Sequence, residues 1–368
     1  MSDAVERFDN VLRFAQERQI SDVLLKPGQR PLYRRVGRLI SRREEPSFDE
    51  AALAEVAARL LSPEEAKSFN AGASILNTYG LIGIGRFRVH VSRQRSGIAL
   101  AIRVLPGRPP ALHDLRLPPP VASFCNVEAG LVLIVSGRGQ GRSNTLAAII
   151  DAINTTAATA RQIATIEWPI EVLYDDKLAW ICQRAVGRDC DSPAGGVRDA
   201  LASDADVIVL GDIDSGAALE AAIEAAEAGK LVVAGVTALD IAQGLRRLYA
   251  LAPSDRLSAM RARLAAVLVG AMSQRLVISS DGQRRLPAVE MMMASPQIYA
   301  IVRDGVDPSA TYEIMAGSGP MGMQTVDQSL HDMMQARAIT SEAALAMAMR
   351  PQELSAIRKG SRGHSGLF

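Results

Sequence analysis

The chain has 368 residues, of which 48% are hydrophobic and 22% charged, and its formal net charge is +1. This length allows two domains with sizeable cores, and the near-zero charge argues against a general role on nucleic acid or on a membrane surface. No basic, apolar leader and no apolar run of about 20 residues stands in the sequence, so neither secretion nor a membrane span is predicted. Three cysteines and four scattered histidines lack metal-ligand spacing, which is typical of reduced cytosolic thiols.

The first 105 residues predict a small α/β domain. Its expected elements are a helix over 4–18, strands over 21–25 and within 31–40, helices within 48–69, and two strands over 80–104 that turn at 96–97. Ser62 to Glu65 forms a capping pattern for the second helix of 48–69. We interpret the arginines within 31–40 as a solvated strand face, with a nucleic-acid patch as the less favoured alternative.

Prolines dominate residues 106–120, which we predict to be a linker. Beyond it, strands alternate with helices. The predicted strands are 131–135, 162–166, 180–183, 206–210 and 231–236, and the predicted helices start near 142, 196 and 217. Such alternation indicates a parallel sheet with helices on both faces. From residue 257 onward helical patterns dominate, broken only by 285–291.

A glycine-rich turn joins the first of these strands to a helix. The apolar run ends at Ser136, and Gly139 and Gly141 follow within GRGQG. A buried strand, a glycine turn and a helix start are typical of a phosphate site, where backbone N–H groups and the positive helix end face an anion. Compared with G-x-x-x-x-G-K-[ST], the first glycine is Ser136 and the lysine is Arg142.

The remaining polar residues of the loop are Arg142, Ser143 and Asn144, and we predict them to be nucleotide-binding residues together with both glycines. Ser143 could ligate magnesium through the nucleotide. Arginine keeps the charge of lysine, but its guanidinium is larger, planar and forked. In a loop shaped for lysine it should misplace the outer phosphates, which argues against fast turnover.

Two acids follow predicted strands, Glu167 after IATI and Asp212 after VIVLG. The carboxyl ends of parallel strands meet at the edge where ligands of open α/β sheets bind, so both acids should converge on the glycine loop. We predict them as catalytic groups that orient water or hold magnesium through water. As plain helix caps or exposed turn acids they would carry no chemistry. A dinucleotide turn is a weaker alternative, because GRGQG lacks the G-x-G-x-x-G spacing.

The ordered motifs resemble those of the type IV pilus retraction ATPases, the PilT/PilU branch of the secretion-motor family. The stretches that carry the resemblance are SDVLLKPGQRPLYRRVGRL, GRFRVHVSRQRSGIALAIRVLP, GLVLIVSGRGQGRSNTLAAIIDAIN, IATIEWPIE, DADVIVLGD, MSQRLV and GSGPMGMQTVDQSL. They span nearly the whole chain. The resemblance implies a PAS-like α/β domain over 1–105, the proline-rich linker over 106–120, and a RecA-like P-loop domain over 121–368 whose C-terminal part is helical.

The resemblance also implies partners and a place in the cell. It implies a hexameric ring, homomeric or mixed with PilT-like subunits, which contacts the platform protein of the pilus at the cytoplasmic side of the inner membrane. ATP or ADP with magnesium would lie between the two domains, reached by Arg88 and Arg103 of the hairpin. A further family arginine is Ser96 here, with Arg95 beside it.

The departures from the family pattern fall where the chemistry is expected. Arginine, asparagine and aspartate replace the loop lysine, the second Ser/Thr and the catalytic glutamate; further replacements are Trp168, Asp214, Lys230 and Thr237, the last two at family histidines. We therefore predict an accessory retraction subunit with weak or absent ATP hydrolysis. The alternatives are an active retraction motor that tolerates Arg142, and an assembly module that has lost nucleotide binding.

Overall fold

The computed structural model describes residues 2–95, 97–156 and 160–355. The expectation at Ser96 lies outside the described residues, and so do residues 359–368. The chain forms two compact units. The first consists of the residues up to Arg108 together with Pro169–Leu173, and the second contains Pro109–Trp168 and the residues from Tyr174 onward.

The first unit is a six-stranded antiparallel sheet with three helices. Its elements are α1 (Asp3–Glu17), β1 (Asp22–Leu25), β2 (Leu32–Arg35), β3 (Arg38–Ser41), α2 (Glu50–Leu60), α3 (Pro63–Asn70), β4 (Ile75–Leu81), β5 (Gly85–Gln94) and β6 (Gly97–Leu105). The strand order is β3-β2-β1-β6-β5-β4. The predicted capping box at Ser62 and Glu65 is present. Apolar side chains of α1, α2 and the sheet form one core.

The second unit contains a seven-stranded sheet in the order β13-β12-β7-β11-β10-β8-β9. Its strands are β7 (Gly130–Ser136), β8 (Gln162–Glu167), β9 (Trp180–Ala185), β10 (Val207–Leu210), β11 (Leu231–Thr237), β12 (Leu268–Ile278) and β13 (Arg285–Met293). All neighbours are parallel except β12 and β13. Buried apolar clusters cover both faces of the central strands, which explains their continuous apolar sequences.

Helices flank this sheet and form the C-terminal part of the unit. They are α4 (Arg142–Thr156), α5 (Pro193–Ala202), α6 (Gly216–Glu227), α7 (Ile241–Leu251), α8 (Leu257–Val267), α9 (Pro296–Asp304), α10 (Thr311–Gly317), α11 (Val326–Gln335) and α12 (Ser341–Met347). None of the helices in the described ranges combines the length and apolarity needed to cross a bilayer.

Two strands differ from the sequence-based expectations. The prediction that helices dominate after residue 257 is wrong for Leu268–Ile278, which is the longest strand of the sheet. The first unit also contains the strand Ile75–Leu81, which was not predicted.

The proline-rich stretch 106–120 contains a short 3₁₀ helix, Leu112–Leu115, and the start of a second one, Pro119–Asn126. The boundaries at 105 and 120 stay predictions.

Candidate functional site

The glycine loop leads from the buried strand β7 into the first turn of α4. Gly139 and Gly141 have φ values of +74° and +91°, in the left-handed region that favours glycine. A Cβ atom at Gly141 would also lie 2.7 Å from Nε2 of Gln274. Ser143 and Asn144 lie exposed in the first turn of the helix. Because the first N–H groups of a helix have no partner within it, this end of α4 can receive an anion.

Strand β12 holds the loop from one side. Nε2 of Gln274 donates to the carbonyl oxygen of Gln140 over 2.5 Å, and Oε1 of Gln140 accepts from the backbone N–H of Leu276 over 2.7 Å. The buried hydroxyl of Thr145 in α4 donates to Oε1 of Gln274 over 2.6 Å. Gln274 therefore fixes both the loop and the helix that follows it. It was not predicted as a site residue, although it lies in the MSQRLV stretch that resembles the family.

Arg142, the first residue of α4, points its guanidinium at the ends of two strands. Nη1 lies 3.0 Å from Oδ1 of Asp212, just after β10, and donates to the hydroxyl oxygen of Thr237 at the end of β11 over 2.8 Å. The Thr237 hydroxyl in turn donates to the Asp212 carboxylate, whose oxygens lie 3.0 and 3.2 Å away. The three side chains form a closed polar triad. In the sequence, each of the three stands at a position where the resemblance implies a different residue.

The triad changes the electrostatics of Asp212. Burial raises the pKa of this carboxyl above its ordinary value, and the Arg142 charge and the Thr237 hydrogen bond oppose that rise. The Asp212 side chain is 31% exposed and that of Arg142 only 21%. The guanidinium thus provides a positive partner for this carboxylate inside the protein.

A glycine on β11 leaves the space that the guanidinium occupies. A Cβ atom at Gly235 would lie 3.0 Å from Nε of Arg142 and 2.2 Å from the carbonyl oxygen of Gly211. No real side chain tolerates such a backbone contact, so β10 and β11 approach each other here only because residue 235 is glycine. The position of Arg142 therefore depends on Gly235.

Glu167 lies at the end of β8, the neighbour of β10. Its carboxylate accepts from the Thr165 hydroxyl over 2.7 Å, and its Cα lies 3.6 Å from where a Cβ of Gly211 would be. Trp168 follows and is 56% exposed. The structure therefore places both predicted acids at the same end of neighbouring strands, and it pairs Arg142 with Asp212.

Arg88 and Arg103 belong to the first unit and face each other across β5 and β6. Arg88 forms an ion pair with Glu171, and Nε of Arg103 lies 3.0 Å from Oδ1 of Asp22. Both arginines thus have carboxylate partners within that unit. Their role toward a nucleotide stays a prediction. Among the described residues, no group of three or more His, Cys, Asp or Glu side chains could hold a metal ion.

Comparison with known proteins places these features in a family. Residues 119–361 match the family described as type II/IV secretion system protein. The chain is 29% identical over 347 residues to the type IV pilus ATPase PilU of Pseudomonas aeruginosa, covering 94% of this chain and 90% of that protein. It is 28% identical over 342 residues to the retraction ATPase PilT of the same organism, covering 93% and 98%.

A solved structure gives the same result for the fold. The crystal structure of the pilus retraction motor PilT with bound ADP superposes with a TM-score of 0.81 at 30% identity, covering 94% of this chain and 98% of that one. The predicted fold class, an N-terminal α/β domain followed by a RecA-like domain with a helical C-terminal part, is confirmed. So is the resemblance to the PilT/PilU branch.

Proposed function

Since the chain belongs to the type II/IV secretion system protein family, we propose that it is a nucleotide-binding subunit of a type IV pilus motor in which ATP hydrolysis is weak or absent. The observation that carries this proposal is the closed triad of Arg142, Thr237 and Asp212. We infer the pilus setting from the similarity to PilU and PilT, and we infer the weak hydrolysis from the triad.

In the triad, the Arg142 cation is directed away from the phosphates and the Asp212 carboxylate is not free to orient water. A P-loop motor needs a cation on the outer phosphates and a free carboxylate that orients the attacking water. Here the guanidinium and the carboxylate neutralise each other at 3.0 Å. A magnesium ion fits poorly beside Asp212 in this arrangement, because the adjacent guanidinium repels it. A loss of about a hundredfold in rate from misplacement alone is in the expected range.

Nucleotide binding asks less of the site than hydrolysis does. The left-handed glycines and the first turn of α4 still present backbone N–H groups for phosphates, and Ser143 and Asn144 lie exposed beside them. We propose that ATP or ADP binds there, with Ser143 as the ligand of a magnesium ion that accompanies the nucleotide. Arg88 and Arg103 are the arginines that would reach the nucleotide from the hairpin.

The proposed setting is a cytoplasmic ring at the inner-membrane base of the pilus. The chain would occupy a homo-hexamer or a mixed hexamer with PilT-like subunits, contact the platform protein, and act as an accessory subunit in retraction. The similarity to PilU and PilT over more than nine tenths of the chain supports this assignment.

The decisive experiment compares ATP hydrolysis by the wild type with that of Arg142→Lys. We expect very slow turnover in the wild type and a gain of about tenfold or more in the variant, because lysine releases Asp212 and reaches the phosphates as a point charge. Arg138→Lys, an exposed change in the same loop, is the matched control and should leave the rate unchanged. Fast turnover in the wild type would contradict the proposal, whereas equally slow turnover in both proteins would show that the other replacements are sufficient to prevent hydrolysis.

The two alternatives predict different results in the same set of measurements. An active motor would hydrolyse ATP in the wild type, and Asp212→Ala would abolish that turnover. An assembly module without nucleotide affinity would give no heat with ATP or ADP in calorimetry. Trp168, which is 56% exposed beside Glu167, provides an independent fluorescence signal for the same titration.

A further inference from the structure

The hairpin formed by β2 and β3 and its flanking turns is strongly basic. Residues 26–45 contain two acidic residues, Glu44 and Glu45, and seven basic ones, which are Lys26, Arg30, Arg34, Arg35, Arg38, Arg42 and Arg43. The formal net charge of +1 averages over the whole chain and conceals this local excess. Since β3 is an edge strand of the first sheet, the excess lies on a part of the fold that another surface can reach.

Most of these cations have no side-chain partner among the residues that the structure describes. Arg34 lies 3.5 Å from Asp22, and Arg42 pairs with Glu45 over 2.6 Å. The other five have no ion-pair or hydrogen-bond partner for their side chains within the described ranges, and all are exposed; they are Lys26, Arg30, Arg35, Arg38 and Arg43. A solvated strand face would explain why these five side chains are exposed, but it would explain nothing further about the hairpin.

Three further features disfavour the hairpin as an isolated structure. Arg35 and Arg38 face each other across the two strands, and like charges in that position are destabilising. Val36 has φ +48° in the two-residue turn, a conformation that is unfavourable for a β-branched side chain and common for asparagine. Leu39 and Ile40 are 47% and 44% exposed. Local strain combined with exposed apolar residues points to a binding role.

The geometry points to one kind of partner: we propose that this hairpin docks on an anionic phospholipid bilayer. Neighbouring side chains of a strand point to opposite faces, so Leu39 and Ile40 are exposed on both faces of the ribbon. A protein surface packed on one face would cover only one of them, whereas the interfacial region of a bilayer can contact both faces along the edge strand β3. The unpaired guanidinium groups then meet lipid phosphates, which their planar fork matches.

The inference uses the peripheral location proposed above and names the surface that provides it. It does not use the glycine loop, nucleotide or any pilus protein. Its test therefore needs only the full-length chain and vesicles, and its failure would leave the hydrolysis experiment unaffected.

The test measures co-sedimentation of the full-length chain with vesicles of phosphatidylglycerol and phosphatidylcholine, against vesicles of phosphatidylcholine alone. We expect binding to the anionic vesicles only, weakening as salt is added. Arg35→Ser with Arg38→Ser should lower the partition about 25-fold, from about fivefold for each basic residue. The control Lys67→Ser with Arg256→Ser removes two exposed cations elsewhere and should bind like the wild type.

A second variant separates lost binding from lost folding. Val36→Asn places a favoured residue in the turn, so its thermal midpoint should rise while its vesicle partition falls, because the tip loses an apolar side chain. Equal losses in the Lys67/Arg256 control would overturn the proposal. So would full vesicle binding by Val36→Asn, or binding of the chain to a poly-glutamate peptide but not to anionic vesicles.

Discussion

At the scale of single residues, Arg142 carries the site's cation on a larger and planar group than a lysine would. One nitrogen of that group, Nη1, contacts the Thr237 hydroxyl and the Asp212 carboxylate at the same time. Both groups are half-buried, where a paired charge is favourable only if its hydrogen bonds are satisfied. The hydrogen bonds within the triad meet that condition, and we propose that this arrangement opposes the one needed for hydrolysis.

The dependence of this triad on Gly235 can be measured. Gly235→Ala is expected to lower the free energy of unfolding by about 2 kcal/mol or more, because its Cβ would overlap the Gly211 carbonyl oxygen and crowd Arg142. The measurement is urea unfolding. Gly211→Ala, whose Cβ would make only ordinary contact with Glu167, is the control. Equal stability of the two variants would show that the strands separate easily at this point.

Residue types in the sequence predicted which residues belong to part of the site, but not which of them contact each other. The glycine spacing and the acids after β8 and β10 were visible because they are local signals. The bond between Arg142 and Thr237 joins residues 95 positions apart, and it depends on the strand order β7-β11-β10, which local patterns do not contain. For the same reason Gln274, which lies more than 130 positions from Gln140, was not predicted as the residue that holds the loop.

At the scale of secondary structure elements, Glu290 joins three of them. It lies on β13, opposite Ser273 of β12, and its Oε2 accepts from the Ser273 hydroxyl over 2.7 Å. The same oxygen accepts from the backbone N–H of Ile241 at the start of α7 over 2.9 Å. Burial raises the pKa of Glu290 to about 7. The group therefore stays protonated in the folded protein at pH values where it ionises in the unfolded chain.

This raised pKa makes stability depend on pH. Below about pH 4.5 Glu290 is protonated in both states. As the pH rises from there to about 7, only the unfolded chain loses the proton, so the free energy of unfolding falls, by about 3 kcal/mol in all from this group. Glu290→Gln should remove that part of the slope. The measurement is denaturant unfolding between pH 4.5 and 8; identical slopes for the two proteins would contradict it.

Elements were predictable from sequence where their boundaries carry a turn signal. β12 has none at its start, because α8 ends at Val267 and the strand begins at Leu268 within one apolar run. An apolar run of that length fits a buried helix or a buried strand equally well. β4 was missed for the opposite reason: it is an edge strand, partly exposed along its length, so its sequence lacks a clear alternation.

At the scale of the whole molecule, the two units have separate cores. Leu53 is fully buried in the core of the first unit and Leu245 in a core of the second. Leu53→Ala and Leu245→Ala should each lower the free energy of unfolding by about 2–5 kcal/mol. Each should lower the midpoint temperature of a different step of thermal unfolding. Calorimetry of both variants checks this. A single transition that moves equally in both would mean that the units unfold together.

The assignment of Pro169–Leu173 to the first unit could not be predicted from the sequence. The guanidinium of Arg86 donates to the carbonyl oxygens of Ile170 and Glu171, over 3.1 and 3.0 Å. These contacts join residues 84 and 85 positions apart, so no local composition signals them. The proline-rich stretch signalled one crossing between the units, and the chain crosses again on each side of this segment.

Cys125 has a consequence for chemical labelling. It is buried against α4, its Sγ lies 4.0 Å from the carbonyl oxygen of Ile149, and burial raises the pKa of its thiol to about 11. A thiol that is both covered and protonated at neutral pH does not react with alkylating reagents. Cys182 and Cys190 are only partly covered. The mass added at Cys125 therefore counts the molecules in which the contact between Pro119–Asn126 and α4 has opened.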